Sequence, residues 1–168
     1  QWVLTPMQWW RVAPSRQMPV SWNPENPADP NYDWEFFDTW VRNARAAGLQ
    51  PVLQLRGTPT WGQNCTPPSV FDSPCKPDPA KLAAFAKAAA TRYSGHFGGL
   101  PRVQYWQGLN EPNLTLFFQP QFENGKTVSA DLYRPLINGI YAAIKGVDPS
   151  NVVIAAGLGP IAVPNATI

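Results

Sequence analysis

The strongest constraint on the fold is a strand followed by a helix, a pattern that recurs about every 50 residues. Strand-like runs are found at Trp2 to Thr5, Pro51 to Leu55, Arg102 to Leu109 and Asn151 to Ala156. Strands that alternate with helices at such a spacing predict parallel βαβ units, because each crossover needs a helix-sized segment. We therefore expect an α/β protein.

Three helices are predicted between these strands from apolar residues at helical spacing. The first spans about Trp34 to Ala47, with Asp33 as N-cap and Gly48 as the stop. The second covers about residues 79–93 and follows the N-cap Asp78. The third carries its apolar face over residues 132–144, and Pro135 predicts a late start because proline removes a helical hydrogen bond.

Two α/β architectures fit this pattern: an open doubly wound sheet and a (β/α)8 barrel. At this spacing, eight units of a barrel need about 400 residues, and the chain has 168. The barrel hypothesis therefore makes residues 1–168 a single partial domain with four strands and three helices. Its two sheet edges would be covered by the remaining barrel strands, expected from sequence outside this chain.

Composition excludes several classes of function. Only 14% of residues are charged, and 13 Lys and Arg against 11 Asp and Glu leave a net charge of +2, so we expect no nucleic-acid partner. Apolar runs are only a few residues long, far short of the roughly 20 needed to cross a bilayer, so no membrane partner is expected. The 20 prolines and 8 tryptophans predict rigid, aromatic-rich loops suited to neutral ligands.

Cys65 and Cys75 are the two cysteines and lie in one Pro-rich stretch. A disulfide between them would close a short loop and indicate an oxidising compartment, hence secretion, whereas two free thiols are the alternative. One histidine and two cysteines do not supply the usual four zinc ligands, so no metal is expected. The partial glycine pattern at residues 157–160 lacks a third glycine, and no cofactor is predicted.

The residues that carry chemistry follow the third predicted strand, where Asn110, Glu111 and Pro112 are adjacent. Carboxyl ends of parallel strands form the functional face of α/β proteins. Glu111 can there protonate a glycosidic oxygen and later take a proton from water, while the Asn110 amide can bond a sugar hydroxyl. The alternative is a turn in which proline keeps Glu111 out of a helix.

The sequence resembles the clan A glycoside hydrolases, which include families five and thirty-nine. The likeness runs through Trp2-Val3-Leu4, Val52 to Leu55 with Gly57-Thr58-Pro59-Thr60-Trp61, Asn110-Glu111-Pro112-Asn113 and Val152 to Gly157. It implies a retaining (β/α)8 enzyme acting on a carbohydrate, of which this chain holds the second to fifth strands. It also implies that Glu111 is the general acid/base, that Asn110 contacts substrate, and that the nucleophile follows a seventh strand. Many members carry Trp at the position of Leu109, so the resemblance does not specify which glycan is cut.

Trp9 and Trp61 lie in predicted loops after strands and are candidate platforms for sugar rings. The alternative is that these large rings pack over the core as buried residues. For the whole protein, the main hypothesis is a glycosidase. A carbohydrate-binding or assembly module without turnover is the second hypothesis, and an open-sheet enzyme of other chemistry is the third.

Overall fold

The computed structural model describes residues 1–13, 17–65 and 74–160. In chain order the elements are β1 (Trp2–Gln8), α1 (Trp9–Val12), α2 (Glu35–Ala46), β2 (Gln50–Arg56), α3 (Pro79–Arg92), β3 (Tyr105–Gly108), β4 (Phe122–Glu123), β5 (Lys126–Thr127), α4 (Ser129–Val147) and β6 (Val152–Ile154). β1, β2, β3 and β6 form one parallel sheet, while β4 and β5 form a separate antiparallel hairpin. The prediction of an α/β chain with parallel strands is confirmed.

The four parallel strands keep their chain order across the sheet. β1 pairs with β2, β2 with β3, and β3 with β6. A doubly wound sheet reverses its strand order at a switch point, and the described strands contain no such reversal. The open-sheet alternative therefore gains no support from the described part of the chain.

Helices cover one face of this sheet. Side chains alternate between the two faces of a strand, so the burial of every second residue shows whether a face is covered. The helix side carries fully buried residues: Met7, Leu53, Leu55 and Trp106. On the opposite side, the apolar side chains of the edge strands are 39 to 59% exposed, whereas Val52 on the central strand β2 is buried. The exposed ones are Trp2, Leu4, Val152 and Ile154. No helix packs on this second face in the described part of the chain, and it is exposed along its two edges.

The end of α2 shows why the predicted stop is correct. Gly48 has φ +74°, a left-handed conformation that glycine adopts at little cost. Its N–H donates to the Arg45 carbonyl at 3.0 Å, and the Leu49 N–H donates to the Ala44 carbonyl at 2.9 Å. This pair of bonds is a Schellman motif, which satisfies two carbonyls at the helix end and turns the chain into β2.

An aspartate lies at the start of α2 and of α3, but only one of the two is an N-cap. Asp78 accepts from the N–H groups of Ala80 at 3.0 Å and Lys81 at 3.1 Å, so its prediction as N-cap of α3 is confirmed. Asp33 is not the N-cap of α2, because the helix starts one residue later than predicted. Its carboxylate still accepts from the Glu35 N–H at 3.1 Å, which satisfies one free donor of the first turn.

α4 begins earlier than predicted. It starts at Ser129, so Pro135 lies inside the helix, where its missing N–H leaves one helical bond unmade. The turns before the proline compensate by packing: Ser129 is buried, and Leu132 and Tyr133 lie against the core. The prediction of a late start was wrong because tertiary contacts outweigh the local cost.

Two further differences concern strands. β3 begins at Tyr105 because the Val103 N–H donates to the Tyr93 carbonyl at 2.8 Å, which takes that segment out of the sheet. The β4–β5 hairpin was not predicted. Its turn residues Asn124 and Gly125 have φ values of +50° and +74°, as a two-residue type I′ turn requires. Asn-Gly favours such a turn, but strands of two residues each are too short to show an alternating pattern in the sequence.

A hydrogen-bonded network fastens α2 and the loop before it to the end of α3. Arg92 donates from Nε to Asp38 Oδ1 at 2.8 Å and from a terminal nitrogen to the Pro27 carbonyl at 3.2 Å. Burial, together with the charge of Asp38, raises the pKa of Tyr93. The Tyr93 hydroxyl therefore keeps its proton and donates to Asp38 Oδ1 at 3.0 Å. The Trp34 indole N–H also donates to the Pro27 carbonyl, at 3.0 Å.

Small side chains line the seam between α3 and α4. A Cβ placed on Gly139 of α4 would lie 3.4 Å from both the Ala83 Cβ and the Pro79 carbonyl of α3. Besides Glu25 and Lys87, the groove along this seam is lined by alanine and glycine: Ala80, Ala83, Ala84, Gly139, Ala142, Ala143 and Gly146. The two helices can approach closely because so few side-chain atoms separate them.

The predicted disulfide between Cys65 and Cys75 is present, with a Cα–Cα separation of 5.3 Å. The Cys75 N–H donates to Gln63 Oε1 at 2.9 Å, which adds a second link across the same loop. The Gln119 N–H donates to the Pro74 carbonyl at 2.9 Å. The disulfide region therefore connects the segment after β2 with the segment after β3.

We expect the double variant Cys65→Ser, Cys75→Ser to lower the free energy of unfolding by about 2 to 3 kcal/mol, because the open loop adds entropy to the unfolded chain. Urea unfolding of the full-length protein measures this. Wild type treated with reductant is the control and should lose the same amount. Equal stability of the oxidised, reduced and variant proteins would contradict the prediction.

Candidate functional site

The site lies at the carboxyl end of β3, where the chain leaves the sheet in a strained turn. The Leu109 N–H donates to the Leu55 carbonyl at 2.9 Å, which extends the contact with β2 by one residue. Leu109 and Glu111 have φ values of +53° and +34°, in the left-handed region that non-glycine residues avoid. Such backbone costs about 1 to 3 kcal/mol per residue and is concentrated at functional sites.

Asn110 is held by a residue of the neighbouring strand. Gln54 on β2 is 4% exposed, and its Nε2 donates to Asn110 Oδ1 at 3.2 Å. Because the Asn110 oxygen serves this contact, its Nδ2 is the group that can donate to a ligand. Gln54 was not among the predicted site residues. The feature of the sequence that could have indicated Gln54 is its place as a polar residue inside an otherwise apolar strand.

Glu111 is half-buried and lies against the loop that follows β6. A Cβ placed on Gly159 would lie 3.4 Å from Cδ of Glu111 and 2.5 Å from Cδ1 of Leu114. The backbone of Gly159 therefore forms part of the wall beside the carboxyl group. The Leu114 N–H donates to the Glu111 carbonyl at 2.9 Å, which closes the turn.

Asn113 links this turn to the β6 loop. Its Oδ1 accepts from the Gly159 N–H at 2.9 Å, and its Nδ2 donates to the Gly159 carbonyl at 3.0 Å. No contact between Asn113 and Gly159 was predicted from the sequence. The contact spans 46 residues of sequence, so no local pattern indicates it.

Tyr133 joins the ends of β3 and β6. Its hydroxyl accepts from the Ala156 N–H at 3.0 Å and donates to the Gly108 carbonyl at 3.4 Å. Burial raises the pKa of Tyr133, so the hydroxyl remains a donor at neutral pH. The two loops that flank Glu111 are therefore held by one side chain of α4.

The two predicted platforms have different surroundings. Trp9 is 1% exposed: its ring stacks on Phe85 at 5.5 Å and meets the edge of Trp61 at 5.2 Å. We therefore correct the assignment of Trp9, because a ring without an exposed face cannot stack on a sugar. Trp61, in a short 3-10 turn after β2, is half-buried and keeps its role as a prediction. Trp10, the neighbour of Trp9, is 43% exposed and lies over Gly57 at the carboxyl end of the sheet.

The described residues 1–13, 17–65 and 74–160 contain no group of three or more His, Cys, Asp or Glu placed to hold a metal ion. Among the same residues, no helix has the length and apolar character to cross a bilayer. The positive charge of Arg56, at the end of β2, lies 5.3 Å from the centre of the Phe117 ring. In the described part of the chain, the groups at this end of the sheet thus include the Glu111 carboxyl group, the Asn110 amide, the Arg56 guanidinium and aromatic rings.

No protein-family model and no curated protein sequence matches the chain. Solved structures do match its fold. A glucosidase from Croceicoccus marinus superposes with a TM-score of 0.61 at 20% identity, over 88% of this chain and 26% of that one. A family 39 glycoside hydrolase from the gut symbiont Bacteroides cellulosilyticus WH2 gives 0.52 at 21%, over 92% and 26%. A monomeric beta-xylosidase from Caulobacter crescentus CB15 gives 0.54 at 24%, over 73% and 24%.

These structural neighbours are glycoside hydrolases. The resemblance to glycoside hydrolases stated from the sequence is confirmed at the level of the fold, and one of these neighbours is a family 39 enzyme. At 20 to 24% identity the likeness shows the fold alone. The chain spans about a quarter of the length of each of these enzymes.

Proposed function

We propose that this chain is part of the catalytic domain of a retaining glycoside hydrolase with a (β/α)8 barrel. β1, β2, β3 and β6 are then the second to fifth strands of the barrel, and residues 1–168 belong to a single domain. The unbroken strand order and the single helix-covered face support this assignment. The face without helices becomes the barrel interior, and further strands cover the two sheet edges.

The observation that carries the proposal is the half-buried Glu111 at the carboxyl end of a parallel strand, next to an Asn110 fixed by Gln54. Glu111 protonates the leaving glycosidic oxygen and then takes a proton from the water that hydrolyses the glycosyl-enzyme. Asn110 donates from Nδ2 to a sugar hydroxyl beside the bond that breaks. Such a bond strengthens as the ring approaches an oxocarbenium ion.

A retaining mechanism also needs a carboxylate nucleophile about 5 to 5.5 Å from Glu111. Glu123 is engaged in an ion pair with Lys76 at 2.5 Å, and Asp131 pairs with Arg134 at 3.5 Å in the first turn of α4. Asp72 lies outside the described residues. We nominate none of these carboxylates and place the nucleophile after the seventh strand of the barrel, as the resemblance implies.

The proposed substrate is a neutral poly- or oligosaccharide, because the chain carries few charges with which to bind an acidic one. Trp61 and Trp10 supply aromatic faces near the strand ends for the apolar side of a pyranose ring. The reaction needs no cofactor. The disulfide supports secretion, since such bonds persist in oxidising compartments.

The proposal is tested by incubating the full-length protein with gluco- and xylo-oligosaccharides and with aryl glucosides and xylosides. We expect reducing ends to appear, and NMR to show that the first product keeps the anomeric configuration of the substrate. A calorimetric titration with the same sugars runs in parallel. Saturable binding without any product would instead favour a non-catalytic carbohydrate-binding module.

A further inference from the structure

Besides Tyr133, which bonds to Ala156, the side chain of Asn113 holds the loop after β6 to the turn of Glu111. Asn113 bonds to both backbone groups of Gly159, accepting its N–H at 2.9 Å and donating to its carbonyl at 3.0 Å. A side-chain amide that bonds both groups of one residue fixes the orientation of that residue as well as its distance. The position of Gly159 therefore depends on Asn113.

Gly159, in turn, contributes to the position of the Glu111 carboxyl group. Its α-carbon has no room for a side chain, since a Cβ there would lie 2.5 Å from Cδ1 of Leu114 and 3.4 Å from Cδ of Glu111. Gly159 is itself buried and borders one side of the carboxyl group. Loss of the wall would let the carboxyl group take up other rotamers.

We propose that Asn113 is a positioning residue, which acts through Gly159 to keep the Glu111 carboxyl group directed at the glycosidic oxygen. This inference rests on the proposed function, because it assigns Asn113 a part in proton transfer by Glu111. Asn113 itself need not touch the sugar, since both ends of its amide are used by Gly159. Nothing in the likeness to other glycosidases assigns it this role.

The test compares two substrates in the full-length protein, one with a poor leaving group and one activated aryl glycoside. With Asn113→Ala, we expect kcat/KM for the unactivated glycoside to fall about 10- to 100-fold, because a small misplacement of a catalytic group costs this much. An activated leaving group needs little proton donation, so its kcat/KM should fall less than about 3-fold. Equal losses for both substrates would overturn the inference.

A second arm places Asn113→Ala in the Glu111→Gln background. If Asn113 acts through Glu111, the added loss should be less than about 2-fold, because residues that act as a unit are not additive. A full additional loss overturns the inference while leaving the proposed function intact. If Glu111→Gln alone has no effect, the proposed function is wrong and the inference falls with it.

Asn151→Ala is the matched control, since Asn151 also bonds backbone through its amide, to the Ile144 carbonyl at 3.2 Å, at the opposite end of β6. It should lower stability without distinguishing the two substrates. Asn113→Asp keeps the shape and the acceptor but replaces the Nδ2 donor with a charged oxygen, which repels the Gly159 carbonyl. It should show the same dependence on leaving group as the alanine variant, which preserves the test if that variant fails to fold.

Discussion

Glu111→Gln is expected to lower kcat/KM for an unactivated glycoside by a factor of about 10² to 10⁴, the contribution typical of general acid catalysis. Glutamine keeps the size and polarity of the side chain but has no proton of suitable acidity to give to the leaving oxygen. The loss should be much smaller for an activated aryl glycoside, whose leaving group departs without a proton. Steady-state kinetics of the full-length protein on both substrates measure the difference.

Glu123→Gln is the matched control, because it makes the same change at a carboxylate of the β4–β5 hairpin. The charge of Glu123 is already paired with Lys76, which lies outside the hairpin. Its kcat/KM should stay within about twofold of wild type for either substrate, as expected for surface changes away from a site. Hydrolysis of the unactivated glycoside near the wild-type rate in Glu111→Gln would remove Glu111 from the mechanism.

Trp9→Ala is expected to lower the free energy of unfolding by about 3 to 5 kcal/mol, because it empties a large volume of the core. The lost contacts are the stacked ring of Phe85 and the edge of Trp61. Chemical denaturation of the full-length protein, followed by far-UV circular dichroism so that the loss of tryptophan fluorescence does not interfere, measures the change.

Trp9→Phe separates packing from any role in binding. The indole Nε1 of Trp9 is buried without a hydrogen-bond partner in the described part of the chain, so phenylalanine removes an unsatisfied donor and keeps an aromatic ring beside Phe85. Its cost should be clearly smaller than that of alanine. Unchanged stability in Trp9→Ala together with weakened sugar binding would restore Trp9 as a platform.

Features that depend on a few neighbouring residues could be predicted from the sequence. Asp78 satisfies N–H groups two and three residues ahead, and Gly48 turns the chain at a helix end. The alternation of strands and helices is equally local, because the spacing of apolar residues within each element indicates whether it is a strand or a helix. The α/β class, the four parallel strands and the place of Glu111 after β3 follow from such signals.

Contacts between distant segments could not be predicted in this way. Gln54 meets Asn110 across 56 positions, and Asn113 meets Gly159 across 46. Trp9 and Trp10 are identical in type and adjacent in sequence, yet one is buried and the other is exposed. Their difference is set by the direction in which α1 leaves the sheet, which no pattern of residue types encodes.

The alanine and glycine seam between α3 and α4 has a consequence for how this sequence can evolve. A methyl group on Gly139 would just reach ordinary contact with the Ala83 Cβ, so drift at these positions is confined to small side chains. Enlarging one side of the seam beyond a methyl group needs a simultaneous reduction on the other. Related sequences should therefore vary here in compensating pairs, and the spacing of the two helices should be inherited more strictly than the identity of their surface residues.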